Sequence, residues 1–315
     1  MADSPIDRRA LPAGAEIHRW TAPDGWELRA FTWPAETKEV RGSILFQGGR
    51  GDIFEKYLES FAHWHARGWT ITSFDWRGQG GSGRLTEARN CGHIETFDDY
   101  VRDLRAFHGE WIAGTPGPHV VMGHSMGGHL VLRAMVEGAI RPDAAVLVAP
   151  MLGFRKGLFG PFAERAARLL GGMGDSSRPA WKGNEKPYTT ETRASLLTHD
   201  ADRYADEIWW QTHGPEILTG PPSWRWVIEG FRSMRELAVN PRLKRMAVPL
   251  LMLVAKKDGL IDGAAALKLA PSLPDARIVT FGAESAHEIL REVDSVRDRA
   301  LGEIDLFLAA RAQRS

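Results

Sequence analysis

Apolar positions along the chain alternate between two kinds of segment. Residues 42–47 (GSILFQ), 69–74, 119–122 and 144–149 are short, nearly continuous apolar runs bounded by glycine, proline or polar turns. Runs of this length predict strands covered on both faces, as in a parallel sheet. Between them the spacing turns helical. Residues 54–67 carry Tyr57, Leu58, Phe61 and Trp64; residues 97–113 carry Tyr100, Val101, Leu104, Phe107 and Trp111 on one face; residues 126–137 form a third such stretch. Residues 27–33 alternate between Asp24-Gly25 and Pro34, which predicts an early antiparallel strand. The β-α rhythm stops at Pro150 and resumes at 248–255, with a helix expected at 264–269, a strand at 277–281 and a last helix from about 292 to 310. The expected organisation is therefore one α/β core from residues 1–150 and 242–315, interrupted by a mainly helical insertion at 151–241.

Composition narrows the possibilities. The 315 residues are 43% hydrophobic and hold 40 Lys+Arg against 40 Asp+Glu. A chain of this size buries roughly 75% of its extended surface, so a large core needs no covalent staple. Zero formal net charge argues against a nucleic-acid partner. The single cysteine, Cys91, excludes an intrachain disulfide and a Cys-rich zinc site. No apolar run approaches the roughly 18–20 residues of a spanning helix. The first twenty residues carry Asp3, Asp7, Arg8, Arg9 and Glu16 with no apolar stretch, so no secretory signal is expected and the expected location is the cytoplasm.

Gly123-His124-Ser125-Met126-Gly127 is a G-x-S-x-G pentapeptide between a strand-like and a helix-like run. That context suits a nucleophile elbow, a sharp turn whose glycines relieve crowding and whose serine is lifted to a helix N-terminus. A plain glycine-rich turn with an incidental serine is the competing interpretation.

Four segments spread over the chain carry a family likeness: residues 46–49 (FQGG), 74–83 (FDWRGQGGSG), 123–128 (GHSMGG) and 286–288 (AHE). With these the chain resembles an α/β-hydrolase, and more narrowly the serine hydrolases that include monoacylglycerol lipases and bacterial lysophospholipases, also filed as serine aminopeptidase S33. Residues 287–292 look particularly like the lysophospholipase branch. Gln47 and Gln79 stand where many relatives have histidine. The resemblance implies a mostly parallel sheet flanked by helices, a helical cap and no cofactor.

The triad order of this fold is serine, acid, histidine. Asp258, in Lys257-Asp258-Gly259 after the first strand beyond the insertion, is the expected acid; Asp262 is its competitor. Asp-Gly is also a common turn pair, which would give Asp258 a merely structural role. His287 is the only histidine after Asp258 and is the expected base. The oxyanion hole is expected from the N–H groups of Met126 and, by family alignment, Gly49, with Gly48 next to it. These glycines could equally serve only to turn the chain.

Residues 78–83 also fit G-x-G-x-x-G, but the polar stretch after them lacks a helical apolar period, which argues against dinucleotide binding. His63 and His65 are two apart on a helix and point to different faces, so no metal site is expected. In the insertion, Leu158, Phe159, Phe162, Ala166, Leu169 and Leu170 share one helical arc. That arc either packs on the core or forms an acyl groove or membrane-facing lid. Phe159, Phe162, Trp209 and Trp226 are candidate substrate contacts, and each tryptophan suits cap packing equally well. The favoured partner is a small ester with one acyl chain, with transient membrane-surface contact. The rivals are an aminopeptidase, which would need a cap carboxylate such as Glu164 or Glu207 for the substrate amine, and a non-catalytic binding member of the fold.

Overall fold

The computed structural model describes residues 6–37, 39–155, 163–181 and 191–313. Eight strands form one sheet: β1 (Glu16–Thr21), β2 (Glu27–Trp33), β3 (Gly42–Gln47), β4 (Trp69–Phe74), β5 (His119–His124), β6 (Ala144–Val148), β7 (Leu250–Ala255) and β8 (Ala276–Phe281). Their order is β1-β2-β4-β3-β5-β6-β7-β8. The β1–β2 and β2–β4 pairs are antiparallel, and every other pair is parallel. This is the α/β-hydrolase sheet. All residues of β3, β4, β6 and β7 are buried, which explains why these strands read as continuous apolar runs.

Strand β1 had no sequence signal. It lies at the sheet edge, and its side chains are almost all exposed, so it has no buried face to impose alternation. Strand β7 begins after Pro249 rather than at 248. The proline has no N–H to give the ladder, although its carbonyl accepts from Ala145.

Helices α1 (Leu58–His65), α2 (Phe97–Gly114), α3 (Met126–Glu137), α8 (Gly263–Leu269) and α9 (Asp294–Arg311) belong to the β-α alternation. The last begins at Asp294 rather than near 292, because the Glu292 carboxylate is drawn inward to the N–H groups of Ala286 and His199. Between β6 and β7 the described residues hold four α-helices and no strand: α4 (Ala163–Gly172), α5 (Glu191–Leu197), α6 (Ala201–His213) and α7 (Trp224–Ala238). Among the described residues no helix is long and apolar enough to cross a membrane.

The apolar arc expected on residues 158–170 meets a correction. Leu158, Phe159 and Phe162 lie outside the described residues, and the side chain of Ala166 is not described either. Of the rest, Leu169 and Leu170 are 69% and 42% exposed. The helix docks through Ala167 and Gly171 instead; a Cβ on Gly171 would meet Ile228 at 2.7 Å and Trp224 at 3.1 Å. Close backbone approach between α4 and α7 selects the small residues for the interface and leaves the leucines outside.

The glycine-rich loop at 78–83 is built into the core. Its Gly81 N–H donates to the buried Asp75 carboxylate at 2.7 Å, and Arg29 Nη1 donates to the same oxygen at 2.8 Å. Gly80 adopts φ +51° with its Cα pressed on Asp75, a place where no side chain fits. With the carboxylate occupying the loop, the dinucleotide interpretation has no room.

Candidate active site

Ser125 sits between β5 and α3 with φ +51° and ψ −117°. A non-glycine residue in such a conformation costs about 1–3 kcal/mol and persists only where its surroundings enforce it. Here its N–H donates to Val148 O at 3.0 Å, and its carbonyl accepts from His129 and Met151. Flanking glycines are required: a Cβ on Gly123 would lie 2.7 Å from the Gly127 backbone, and one on Gly127 would be driven into the carbonyls of Gln47 and Gly48.

His287 follows β8 and is buried, as are Ser125 and Asp258. Its Nε2 lies 2.9 Å from Ser125 Oγ, and its Nδ1 lies 2.6 Å from Asp258 Oδ2. The other Asp258 oxygen accepts the N–H groups of Leu260 at 2.7 Å and Ile261 at 3.0 Å. Burial alone would raise the Asp258 carboxyl, but the His287 ring and these N–H donors hold it below its usual range. Burial alone would lower the His287 imidazole; Asp258, with smaller help from Glu288 and Asp52, raises it above 6.5. Nδ1–H directed at Asp258 leaves Nε2 as the acceptor facing the serine hydroxyl. Asp262, the competing acid, caps α8 by accepting from Ala264 N–H at 3.0 Å. The structure thus brings Ser125, Asp258 and His287 together and assigns Asp262 to a helix terminus.

Met126 is the first residue of α3, and Ser125 makes no side-chain cap to that helix. The Met126 N–H therefore belongs to the positive helix end directly after the serine. Gly49 also lies against the serine, where a Cβ would approach Ser125 Cβ at 2.9 Å. Its N–H, however, donates to Asp52 Oδ2 at 2.7 Å. In this geometry the expected second oxyanion donor is already engaged, and Gly49 acts as a spacer that lets the loop approach Ser125. Gln79, one of the two departures from the family pattern, ties this loop down: its Oε1 accepts from Gly51 N–H at 2.6 Å and its Nε2 donates to Tyr100 Oη at 2.8 Å.

The two tryptophans fall in different places. Trp226 is buried beside Phe97 and Phe154, with ring centroids 5.4 and 6.4 Å away, and the Arg50 guanidinium lies over it at 5.8 Å. Trp209 packs edge-on against Trp210 and stacks on His213 within α6. Both therefore have packing partners of their own.

Both carboxylates named for an aminopeptidase have basic partners. Glu164 pairs with Arg168 and Arg235. Glu207 has no exposed side-chain surface and pairs with Lys56 at 3.0 Å, Arg193 at 2.9 Å and Arg291 at 3.1 Å.

A group that sequence inspection missed surrounds Asp52. Besides Gly49 N–H, this buried carboxylate accepts from Lys56 Nζ and Tyr57 Oη, each at 2.6 Å, and stands 3.1 Å from His124 Nδ1. The Asp52 side chain is written in the sequence only as one acid in a glycine-rich loop, and the four-residue spacing to Lys56 was its sole signal.

Comparison with known proteins agrees with the geometry. The family model Hydrolase_4, described as serine aminopeptidase, S33, matches residues 38–294. Lysophospholipase L2 of Escherichia coli is 30% identical over 281 residues, covering 84% of this chain and 79% of the relative. A monoacylglycerol lipase of Mycolicibacterium smegmatis is 26% identical over 155 residues, covering 49% of this chain and 53% of the relative. Among solved structures, a soluble variant of the Saccharomyces cerevisiae monoglyceride lipase in complex with a substrate analog superposes with a TM-score of 0.78 at 18% identity, covering 99% of this chain and 100% of that one.

Proposed function

The chain belongs to the Hydrolase_4 (serine aminopeptidase, S33) family and is an ester-hydrolysing serine hydrolase, and on that premise we propose that it cleaves single-acyl-chain lipid esters through an acyl-enzyme on Ser125. The observation that carries the assignment of residues is the continuous hydrogen-bonded line Ser125 Oγ, His287, Asp258 at 2.9 and 2.6 Å. His287 Nε2 takes the hydroxyl proton as Oγ attacks the ester carbonyl, then returns it to the leaving alkoxide. Asp258 holds the tautomer and offsets the imidazolium charge. The Met126 N–H faces the developing oxyanion, and loss of one such donor costs ~3–4 kcal/mol. Water repeats the cycle on the acyl-enzyme.

The lysophospholipase and monoacylglycerol lipase relatives support a lipid with one acyl chain. The cap contributes a second kind of support. Leu169, Leu170 and Met173 form an exposed apolar group on and just beyond α4. Such a surface suits transient contact with a lipid interface, the source of a substrate of this class. An aminopeptidase is the weaker reading, because Glu164 and Glu207 are both engaged by arginine or lysine.

The test combines labelling with a substrate series. A fluorophosphonate probe should modify wild type and spare Ser125→Ala. With soluble p-nitrophenyl esters, kcat/KM should rise with acyl length by up to ~0.8 kcal/mol per buried CH₂ until added carbons are no longer buried. A flat series from acetate to decanoate, or faster cleavage of aminoacyl amides than of esters, would overturn the lipid-ester reading.

A further inference from the structure

The side chain of Lys56 has no exposed surface, yet it carries a charge. Its Nζ lies 2.6 Å from Asp52 Oδ1, 2.6 Å from Glu288 Oε1 and 3.0 Å from Glu207 Oε2. Burial opposes the charge, but the three carboxylates hold the ammonium well above its ordinary range. Each carboxylate belongs to a different part of the molecule. Asp52 lies in the loop that places Gly49 on the serine. Glu288 is the residue after His287. Glu207 sits on α6, in the insertion. Each also has another bond that passes the constraint on. Asp52 accepts Gly49 N–H at 2.7 Å and stands 3.1 Å from His124, the residue before the nucleophile. Glu288 donates its own N–H to Leu197 O of α5 at 2.7 Å, and its carboxylate accepts from Arg291 Nη1 at 2.5 Å. Glu207 accepts from Arg193 of α5 and from Arg291.

The cluster balances in charge: Lys56, Arg193 and Arg291 face Asp52, Glu207 and Glu288. Arg8, Glu55, Glu59, Arg203 and Asp206 surround the small cavity behind it, and Tyr57, His124 and the His287–Asp258 pair border it on the site's side. A largely buried ionic group of this kind is a poor device for stability, since well-packed apolar residues of equal volume serve as well or better. What it does supply is a single point, one ammonium, at which the Gly49 loop, the residue after His287 and α6 are tied together.

We propose that Lys56 is a positioning residue for the base: its ammonium fixes the loop of His287 against the loop of Gly49 and against cap helix α6, and its charge offsets the Asp52 and Glu288 carboxylates that it binds. The inference rests on the reading that His287 is the base. Asp52 and Glu288 both favour the imidazolium. Lys56 cancels part of that influence and so keeps His287 neutral, and able to accept a proton, to lower pH.

Opposite signs for two variants make the test. In Lys56→Met the cluster is left with one net negative charge, since Arg193 and Arg291 still pair with Glu207 and Glu288, so the His287 titration and the acid limb of kcat/KM should move to higher pH. Relative to wild type, kcat/KM should then fall several-fold more at pH 6 than at pH 8.5. In Glu288→Gln one anion next to the base in sequence is gone, and the limb should move the other way. Lys56→Arg should recover the wild-type profile. The readouts are kcat/KM for a soluble short-chain ester from pH 5 to 9 and the His287 ring titration by NMR. Profiles of Lys56→Met and Glu288→Gln that run parallel to wild type, with the same factor lost at every pH, would overturn the proposal and leave the cluster a packing device. Should Lys56→Met fail to fold, Glu288→Gln decides alone. His287→Gln separates the layers: if that variant stays active, the reading of the base fails, whereas if it is dead and the two profiles are parallel, only the role of Lys56 fails.

Discussion

Asp258 and Asp262 stand four residues apart and do different work: the first reaches His287 Nδ1 at 2.6 Å, the second caps α8 through Ala264 N–H at 3.0 Å. Asp258→Asn should lose ~10⁴-fold in kcat, because an amide selects the wrong imidazole tautomer. Asp262→Asn should change kcat little, since asparagine caps a helix about as well as aspartate. Steady-state kinetics on both variants, with circular dichroism as the check on folding, settles the ranking. Greater loss in Asp262→Asn would move the acid to that position.

Ser125→Ala should lose about 10⁶-fold in kcat, the order of magnitude for a missing nucleophile, and should retain its fold. Gly123→Ala behaves differently. The added Cβ would sit 2.7 Å from the Gly127 backbone, in the tight turn between β5 and α3. Overpacking of this kind costs ~1–3 kcal/mol or more, so denaturant unfolding should show a lowered midpoint along with lost activity. A Gly123→Ala protein of wild-type stability would contradict the packing described.

The His287 imidazole is raised above 6.5 despite its burial, chiefly by Asp258. If His287 is the base, as proposed, catalysis requires the neutral ring, and a raised value keeps the ring protonated to higher pH. Activity should therefore fall on acidification through an apparent value above 6.5, with the plateau on the alkaline side. The pH dependence of kcat/KM for a soluble ester measures this limb directly. A limb centred well below 6.5 would show that the Asp258 pairing does not dominate.

Leu169, Leu170 and Met173 are 69%, 42% and 58% exposed, so charging one of them should leave the fold intact. If this surface meets lipid, Leu169→Asp should depress hydrolysis of a long-chain substrate presented in vesicles several-fold and leave a soluble acetate ester unchanged. Each leucine withdrawn from an apolar phase forfeits up to ~1.5–3 kcal/mol. Vesicle co-sedimentation of wild type and variant provides the binding arm. Equal rates on vesicles for both proteins would remove α4 from the lipid-facing surface.

Much of this protein is determined by local pattern. Buried strands such as β3 and β7 declare themselves because burial on both faces calls for a nearly continuous apolar run. The elbow declares itself because only glycine fits at positions 123 and 127. The order of Ser125, Asp258 and His287 along the chain is enough to nominate the triad. Tertiary structure decided the rest. Edge strand β1 has no buried face to leave a period. The side of α4 that packs was set by how closely α7 approaches, which favours Ala167 and Gly171 over the leucines that hydrophobic counting selects. Glu207 goes to Lys56 because charges remote in sequence are forced together in a space without water, and the Gly49 N–H goes to Asp52, three residues on, because the fold turns that carboxylate inward. Periodicity records how one element meets the core; it carries no record of which donor and acceptor, from segments folded separately, find one another when burial leaves them no other partner.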